Sequence, residues 1–457
     1  MNYLENVVNF INGIFWGKNL LAVMLLSVGL YFTIKTRFMP VRLFKEMVRI
    51  ILEKNESKDE NTVSSFQAFC ISTASRIGAG NLAGVVAAVS IGGPGAVFWM
   101  WVVALVGSSS AFIESTLAQI YKGKDPNGGY RGGPAYFMEK ALNKRWMGIL
   151  FAISGLICWA GISQIVSNSV TESFENAFDI PRIYSVSILV ICAAVVIFGK
   201  SNKTARVLDK LVPIMAGAYA FIVVFIIIKN ITLLPSVLIS IFSNAFGIQQ
   251  VVGGGLGVVI IAGIKRGLFS NEAGSGSAPC AAAAAEVSHP AKQGLIQSLG
   301  VFIDTLVICS ATAFVILLAD KTVTQGKTGM SLLQAAMRDH LGEFGVIFIA
   351  VVLLLFAFST FLGILFYAKS NVSFIIEGEF AQNVYKTFAL LMMFVGGLSQ
   401  YLFVWALADM GVGLMTVLNL FAIVPLGKIA LDSLADYEKN HMDPKTETKK
   451  SNEIEQS

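Results

Sequence analysis

Charge is scarce in this chain. Of its 457 residues, 14% are Asp, Glu, Lys or Arg and 55% are apolar, with a mean hydropathy of +0.69, whereas a water-soluble domain carries about 25% charged residues. An aqueous surround is excluded by that balance, and the bilayer takes its place as solvent. Histidine is limited to His289, His340 and His441, which fall in expected loops or in the C-terminal tail, so a proton relay through an intramembrane imidazole has no support. Cysteine is limited to Cys70, Cys158, Cys192, Cys280 and Cys309. All fall inside apolar stretches, with no CxxC pair and no histidine at ligand spacing, which argues against a disulfide framework and a structural metal. No nucleophile–base pair accompanies the hydroxyls of the apolar stretches, so the chain is not expected to be an enzyme. The net charge of +5 is spread over several segments without a dense basic patch, which excludes nucleic acid as a partner.

What the chain has is length in apolar runs. Stretches near the length that crosses about 30 Å of hydrocarbon recur about eleven times. They lie near 13–34, 66–91, 94–118, 147–170, 183–199, 207–228, 250–286, 295–318, 345–368, 384–404 and 406–427. The first runs into Lys35 and Arg37 without an Ala-x-Ala-like cleavage site, and is expected to be a retained helix. An all-α polytopic membrane protein follows, with a single transmembrane domain over 1–434 and a polar, disordered cytoplasmic tail over 435–457.

Basic residues set its orientation. Lys35, Arg37, Arg42, Lys45, Arg49, Lys54 and Lys58 crowd 35–65, and Lys122, Lys124, Arg131, Lys140, Lys144 and Arg145 crowd 119–146. Both segments are expected in the cytoplasm. Segments 171–182 and 229–249 carry one basic residue each, Arg182 and Lys229, and are expected outside. The N-terminus is then outside and the C-terminus, with Lys439, Lys445, Lys449 and Lys450, inside. The outer segment 319–344 fits least well, since it holds Lys321, Lys327 and Arg338. Short loops suit a prokaryotic inner membrane.

Two glycine-punctuated polar breaks interrupt these spans: Gly78-Ala79-Gly80-Asn81, and Phe269-Ser270-Asn271-Glu272-Ala273-Gly274-Ser275-Gly276. Irregular backbone at membrane depth persists only where protein or a wet cavity satisfies it, so paired breaks point to the central site of a secondary transporter. After an extra N-terminal helix at 13–34, the remaining spans divide five-plus-five into 66–228 and 250–427, each half opening with a broken helix. An odd number per half inverts one half against the other. A channel would need rings of groups from a symmetric pore, and each break occurs once in dissimilar sequence.

At the first break, glycines free the backbone beside the Asn81 amide. The half-helix starting there presents its positive end to a carboxylate, while the half-helix ending near Ile77 leaves carbonyls for a cation. Glycines alone serve equally for close helix packing; Asn81 and the second break favour a site. Glu272 in the second break has Arg266 or Arg76 as a partner, and a buried ion pair or gate is as good a reading as ligand contact. Ser359-Thr360 in 345–368 offers hard oxygens suited to sodium, although such hydroxyls usually bond a carbonyl one turn back. Gln164 reads either as inter-helix glue or as a ligand contact. Glu114 and Asp304 are buried charges to which the sequence assigns no role.

Four strings carry a family resemblance: Gly78-Ala79-Gly80-Asn81-Leu82-Ala83-Gly84-Val85, the run Gly92 to Trp101 (GGPGAVFWMW), Gly132-Gly133-Pro134, and the run Arg266 to Pro279 (RGLFSNEAGSGSAP). They resemble the hallmark segments of the alanine or glycine:cation symporter family, over about residues 13–427. The resemblance implies a sodium-coupled amino-acid importer with the leucine-transporter fold and one extra helix, working as a monomer without an organic cofactor. Carried over by motif, the substrate pocket comprises Gly78, Gly80, Asn81, Gln164, Phe269, Ser270, Gly274, Thr360 and Ile364. The implied sodium site joins backbone carbonyls of Ala74, Ile77 and Phe356 to the hydroxyls of Ser359 and Thr360. Two departures bear on the substrate: Ile364 stands where many members carry a Trp, and Arg76 where many carry a small or hydroxylic residue. A looser pocket admits glutamine alongside alanine and glycine. A proton-coupled permease of the same fold, with Glu272 or a neighbouring acid as carrier, is the rival reading.

Overall fold

The helices follow from apolar runs closed by specific stop signals. A computed structural model describes residues 2–53, 63–78, 80–126, 128–199, 203–246, 255–399 and 401–442, with side chains for all but 2–4, 203–207 and 401–403. In chain order the helices are α1 (Asn2–Asn12), α2 (Leu20–Lys35), α3 (Met39–Arg42), α4 (Phe44–Ile51), α5 (Ser65–Arg76), α6 (Val85–Gly92), α7 (Gly95–Ile120), α8 (Pro134–Lys140), α9 (Arg145–Phe178), α10 (Arg182–Ile197), α11 (Lys203–Lys229) and α12 (Leu234–Phe246). After them come α13 (Leu256–Asn271), α14 (Ala278–Ala284), α15 (Pro290–Val301), α16 (Ser310–Leu317), α17 (Lys321–Thr324), α18 (Gly329–Leu341), α19 (Glu343–Ile375), α20 (Glu379–Leu398) and α21 (Tyr401–Asn440). Among the described residues the only strands are β1 (Gly123–Lys124) and β2 (Tyr130–Arg131), an antiparallel pair.

Among the described residues, six helices are long and apolar enough to cross a membrane, and up to eight spans result if each bent pair counts as one. The bent pairs are α1 with α2, at 43°, and α5 with the stretch Gly80–Gly92, at 45°. The expected span 13–34 therefore begins within a helical stretch that reaches back to Asn2 and bends before Leu20. Residues 250–254 of the expected span 250–286 lie outside the described residues.

Two expectations need correcting. Helix α21 continues to Asn440, so 435–440 is ordered helix; Tyr437 donates to Glu46 and Arg42 pairs with Glu438, contacts that tie this polar stretch to α4 and its approach. The rest of the expected tail, from 443, lies outside the described residues. The segment 319–344, expected outside as a loop with surplus basic residues, folds into α17 and α18. Lys321 and Arg338 are placed on these helices, and Arg338 pairs with Glu343, so part of its charge is neutralised locally.

Each break has its own grammar. Helix α5 starts with a capping box, in which Ser64 Oγ accepts from the Gln67 N–H and Gln67 Oε1 accepts from the Ser64 N–H, satisfying two orphan donors. It stops where Ile77 swings to ψ 82°. The chain resumes as a π-helical turn, Gly80–Gly84, before α6. Helix α13 stops at Glu272, whose φ of 56° is left-handed, and Gly274 and Gly276 follow at 84° and 87°. That conformation costs a residue with a β-carbon about 1–2 kcal/mol, so the glutamate is held by its surroundings. Helix α14 restarts with Pro279 in its first turn, where the missing N–H costs nothing.

Candidate functional site

The first break packs directly on α19. Thr360 Oγ1 donates to the Ala74 carbonyl at 3.1 Å, and Ser359 Oγ to the Phe356 carbonyl at 2.9 Å. A β-carbon on Gly78 would sit 1.6 Å from Thr360 Oγ1 and 3.2 Å from the Phe356 carbonyl, so only glycine permits this approach. Ala74, Phe356, Ser359 and Thr360 thus meet in one seam, with Ile77 at its edge next to Gly78. Further along, Gly363 lies against α5, its position for a β-carbon 2.9 Å from the Ser75 nitrogen. Ile364 beside it is 1% exposed.

The two breaks also face one another. A β-carbon on Gly80 would lie 3.5 Å from Ser270 Cα and 3.6 Å from the Phe269 ring, and Phe269 packs on Trp405 with centroids 4.8 Å apart. Ala79 lies outside the described residues. Asn81 Nδ2 donates to Asp304 Oδ1 at 2.7 Å, and Asn81 Oδ1 faces the Ser270 hydroxyl at 3.1 Å. Ser270 also faces Asp304 Oδ2 at 2.8 Å, and Thr305 donates to the same oxygen at 2.9 Å. Asp304 and Thr305 belong to a π-helical segment, Phe302–Cys309, between α15 and α16. Such insertions recur at functional sites because they re-aim side chains.

The charged residues take partners other than those expected. Arg266 does not meet Glu272; it grips Asp409 of α21 with both terminal nitrogens, at 3.0 and 2.9 Å, and stacks 4.0 Å above Trp405. Lys265 joins the same carboxylate at 2.7 Å. Glu272 instead accepts from Ser75 at 2.7 Å, and its second oxygen has no partner among the described residues. Arg76 is 1% exposed and makes no ion pair with Glu272; among the described residues its hydrogen bond goes to the Gln297 carbonyl at 3.3 Å. Glu114 anchors the second break, accepting from the Gly274 N–H at 3.2 Å and from Asn419 at 2.5 Å, while Asn419 also donates to the Gly274 carbonyl. Both polar groups of Gly274 are therefore engaged by protein.

Gln164 faces α20. Its Nε2 contacts Met392 Sδ at 3.3 Å, and its Oε1 is buried without a partner among the described residues, an atom free to receive a ligand's donor. Sequence reasoning missed Asp409 and Asn419. Asp409 is the acid within the apolar run 406–427, and that position was itself the available signal. Two histidines also converge: ligand atoms of His289, Asp436 and His441 lie within 4.8 Å of one another. His289 Nδ1 already accepts the Ala291 N–H at 3.2 Å, which puts its own proton on Nε2, facing Asp436.

A polar seam between two broken helices and a long third, inside an all-helical membrane protein, is what a family comparison has to explain. The model for the sodium:alanine symporter family matches residues 1–452. The chain belongs to that family. Its relatives include a probable sodium/glutamine symporter, GlnT, of Bacillus subtilis, 47% identical over 95% of this chain and 91% of the relative. The amino-acid carrier protein AlsT of the same organism is 46% identical over 96% and 93%. The sodium/alanine symporter AgcS of Methanococcus maripaludis is 35% identical over 93% and 95%. Among solved structures, a mutant of the Eremococcus coleocola manganese transporter superposes with a TM-score of 0.52 over 81% of this chain and 78% of that one, at 13% identity. That likeness concerns the fold alone. Family membership makes the chain a multi-pass membrane transporter of the amino-acid:cation symport class and not an enzyme.

Proposed function

We propose that this protein imports a small neutral amino acid, alanine, glycine or glutamine, together with sodium, by alternating access. The observation that supports it best is the seam in which Thr360 bonds the Ala74 carbonyl while Gly78 leaves no room for a side chain. Hydroxyls and freed carbonyls are the donors a hard monovalent cation takes. Sodium would be held by the carbonyls of Ala74, Ile77 and Phe356 and by the hydroxyls of Ser359 and Thr360. The amino acid would sit against Gly78, Gly80, Asn81, Gln164, Phe269, Ser270, Gly274, Thr360 and Ile364, its carboxylate toward the half-helix that begins at Gly80.

The architecture in this reading has about eleven spans: an extra helix at 13–34 and inverted halves at 66–228 and 250–427. The N-terminus is outside and the C-terminus is in the cytoplasm of a prokaryotic cell, and the monomer is the working unit. Sodium bridging α5 and α19 would order the amides of the first break for the substrate, and by reciprocity substrate would raise sodium affinity by the same factor. Each charge entering contributes about 2.3 kcal/mol per 100 mV.

Uptake of radiolabelled alanine, glycine and glutamine into proteoliposomes, with an inward sodium gradient or with potassium in its place, tests the proposal. Sodium-dependent accumulation is expected. The buried carboxylates of Glu272, Asp304 and Glu114, none of them ion-paired among the described residues, favour proton coupling as the second reading. Uptake driven by pH and indifferent to sodium would decide for it.

A further inference from the structure

The start of α15 and the end of α21 bring together groups that lie far apart in the chain. His289 caps α15, and its Nε2 lies 3.2 Å from Oδ2 of Asp436, 147 residues further on. His441, just past the end of α21, places its Nε2 4.0 Å from the same oxygen. A tetrahedral zinc ion with bonds of about 2.0–2.1 Å separates its ligand atoms by about 3.3 Å, so small side-chain adjustments bring this set to bonding geometry. The rings are already held in place. His289 and His441 have centroids 4.8 Å apart, and both pack against Tyr437, at 5.3 and 6.3 Å. Asn440 donates to Asp436 Oδ1 at 2.7 Å, which orients the carboxylate and leaves Oδ2 facing both imidazoles; outer hydrogen bonds of this kind fix metal ligands. The neighbouring cations have carboxylates of their own: Lys292 meets Glu53, Arg49 meets Glu46 and Arg42 meets Glu438.

We propose that His289 Nε2, Asp436 Oδ2 and His441 Nε2 bind a divalent metal ion of the zinc class, and that the bound ion clamps α15 to α21. Two imidazoles and one carboxylate suit zinc, copper(II) or nickel(II) over magnesium and calcium, which take oxygen ligands. Three protein ligands leave a fourth position for water. On binding, the proton of His289 Nε2 moves to Nδ1, and the Ala291 N–H loses its acceptor. One hydrogen bond is a small loss against three bonds to a divalent ion. The clamp has a mechanical consequence. Helix α15 leads into the segment that carries Asp304, and α21 carries Asp409 and Asn419, which reach Arg266 and Gly274. Tying the ends of these helices together restrains the movement that alternating access requires, so the ion inhibits transport. The inhibition rests on the transport reading above; the binding does not.

The test uses the purified full-length chain in detergent, stripped with a chelator and carrying no polyhistidine tag, titrated with zinc chloride while thermal unfolding is followed. Zinc is expected to raise the melting temperature, with magnesium and calcium inert. The half-saturating zinc concentration should rise at least about tenfold in His441→Gln and in Asp436→Asn. His289→Asn, which retains a capping side chain, should do the same. His441→Gln removes a ligand beyond the last helical turn, so without metal it should melt like the wild type. Lowering the pH from about 7.5 to 5.5 should weaken zinc binding, because protons compete for the imidazole nitrogens. In proteoliposomes with zinc on both faces, radiolabelled alanine uptake should fall in the wild type, and half-inhibition in His441→Gln should need at least about tenfold more zinc. A zinc response identical in the three variants places the metal elsewhere, at an exposed thiol such as Cys192, and overturns the site. A wild-type melting temperature blind to zinc does so as well. Zinc that stabilises through these residues and leaves uptake unchanged overturns the clamp. Failure of alanine, glycine and glutamine to accumulate in zinc-free vesicles would sink the uptake reading and the clamp with it, while the titration still decides the metal site.

Discussion

The hydroxyl of Thr360 occupies the space that a β-carbon on Gly78 would need, with only 1.6 Å between them. Thr360 is β-branched and bonded to the Ala74 carbonyl, so it has little freedom to yield. Gly78→Ala should therefore push α5 and α19 apart, at a cost of about 1–3 kcal/mol typical of overpacking. The expected result is a lower melting temperature together with weaker sodium stabilisation. Adding Thr360→Ala should recover part of the melting temperature and none of the sodium response. A Gly78→Ala protein that melts like the wild type would refute the tight seam.

Asp409 serves two cations, Arg266 and Lys265, at a site where both it and the guanidinium are nearly inaccessible. Removing one member of a buried pair leaves an uncompensated charge and costs about 3–5 kcal/mol. Asp409→Asn strands two cations, whereas Arg266→Gln leaves Lys265 still paired. Asp409→Asn is thus expected to lower the melting temperature more than Arg266→Gln does. Equal or reversed effects would mean that Lys265 contributes nothing to the pair.

His289 supplies a pH dependence whose sign is fixed by burial. At the N-cap of α15 its imidazole is held below its ordinary value of 6.5, first by burial and then by His441 and Lys292, with Asp436 opposing. The unfolded chain therefore takes up a proton near 6.5 that the folded chain refuses until lower pH. Stability should fall as pH drops through that window and level off below the folded value. Protonation at Nδ1 also removes the acceptor for the Ala291 N–H. His289→Asn retains a capping side chain and should flatten the melting-temperature profile between about pH 5 and 7; an unaltered profile would assign the dependence elsewhere.

The features that were legible in the chain are those written locally. Gly78 and Gly80 beside Asn81, and Gly274 beside Glu272, mark interruptions that need no partner to be recognised. Ser359-Thr360 was legible as a hydroxyl pair, though which carbonyl Thr360 bonds depends on the packing of α5 on α19. Partner choice among charges was not legible. Arg266 and Glu272 are six residues apart in sequence, and the helix turns the arginine toward Asp409 on α21 while the left-handed residue at its end aims the glutamate at Ser75. Asp304 was visible as a charge without partners, because Asn81 and Ser270 reach it from segments that only the fold brings together. The stretch 435–440 looked like a solvated tail, yet Glu46, Arg42 and His289 supply it with partners from distant sequence.

Ile364 tests the size of the pocket. It is buried at 1% exposure, and the adjoining Gly363 presses on the backbone of α5; if the proposed pocket includes residue 364, additional bulk there would take space from the amino acid. Ile364→Trp should then discriminate by substrate length. A single methylene in an apolar pocket changes selectivity by about 10–200-fold, and glutamine exceeds alanine by several heavy atoms. The ratio of glutamine to alanine uptake is expected to fall at least about tenfold, with alanine or glycine uptake retained. Ile364→Leu, which conserves volume, should leave the ratio near that of the wild type and so separates pocket size from general damage to the helix. If Ile364→Trp lowers uptake of all three amino acids in proportion, residue 364 supports the fold of α19 and does not select the substrate.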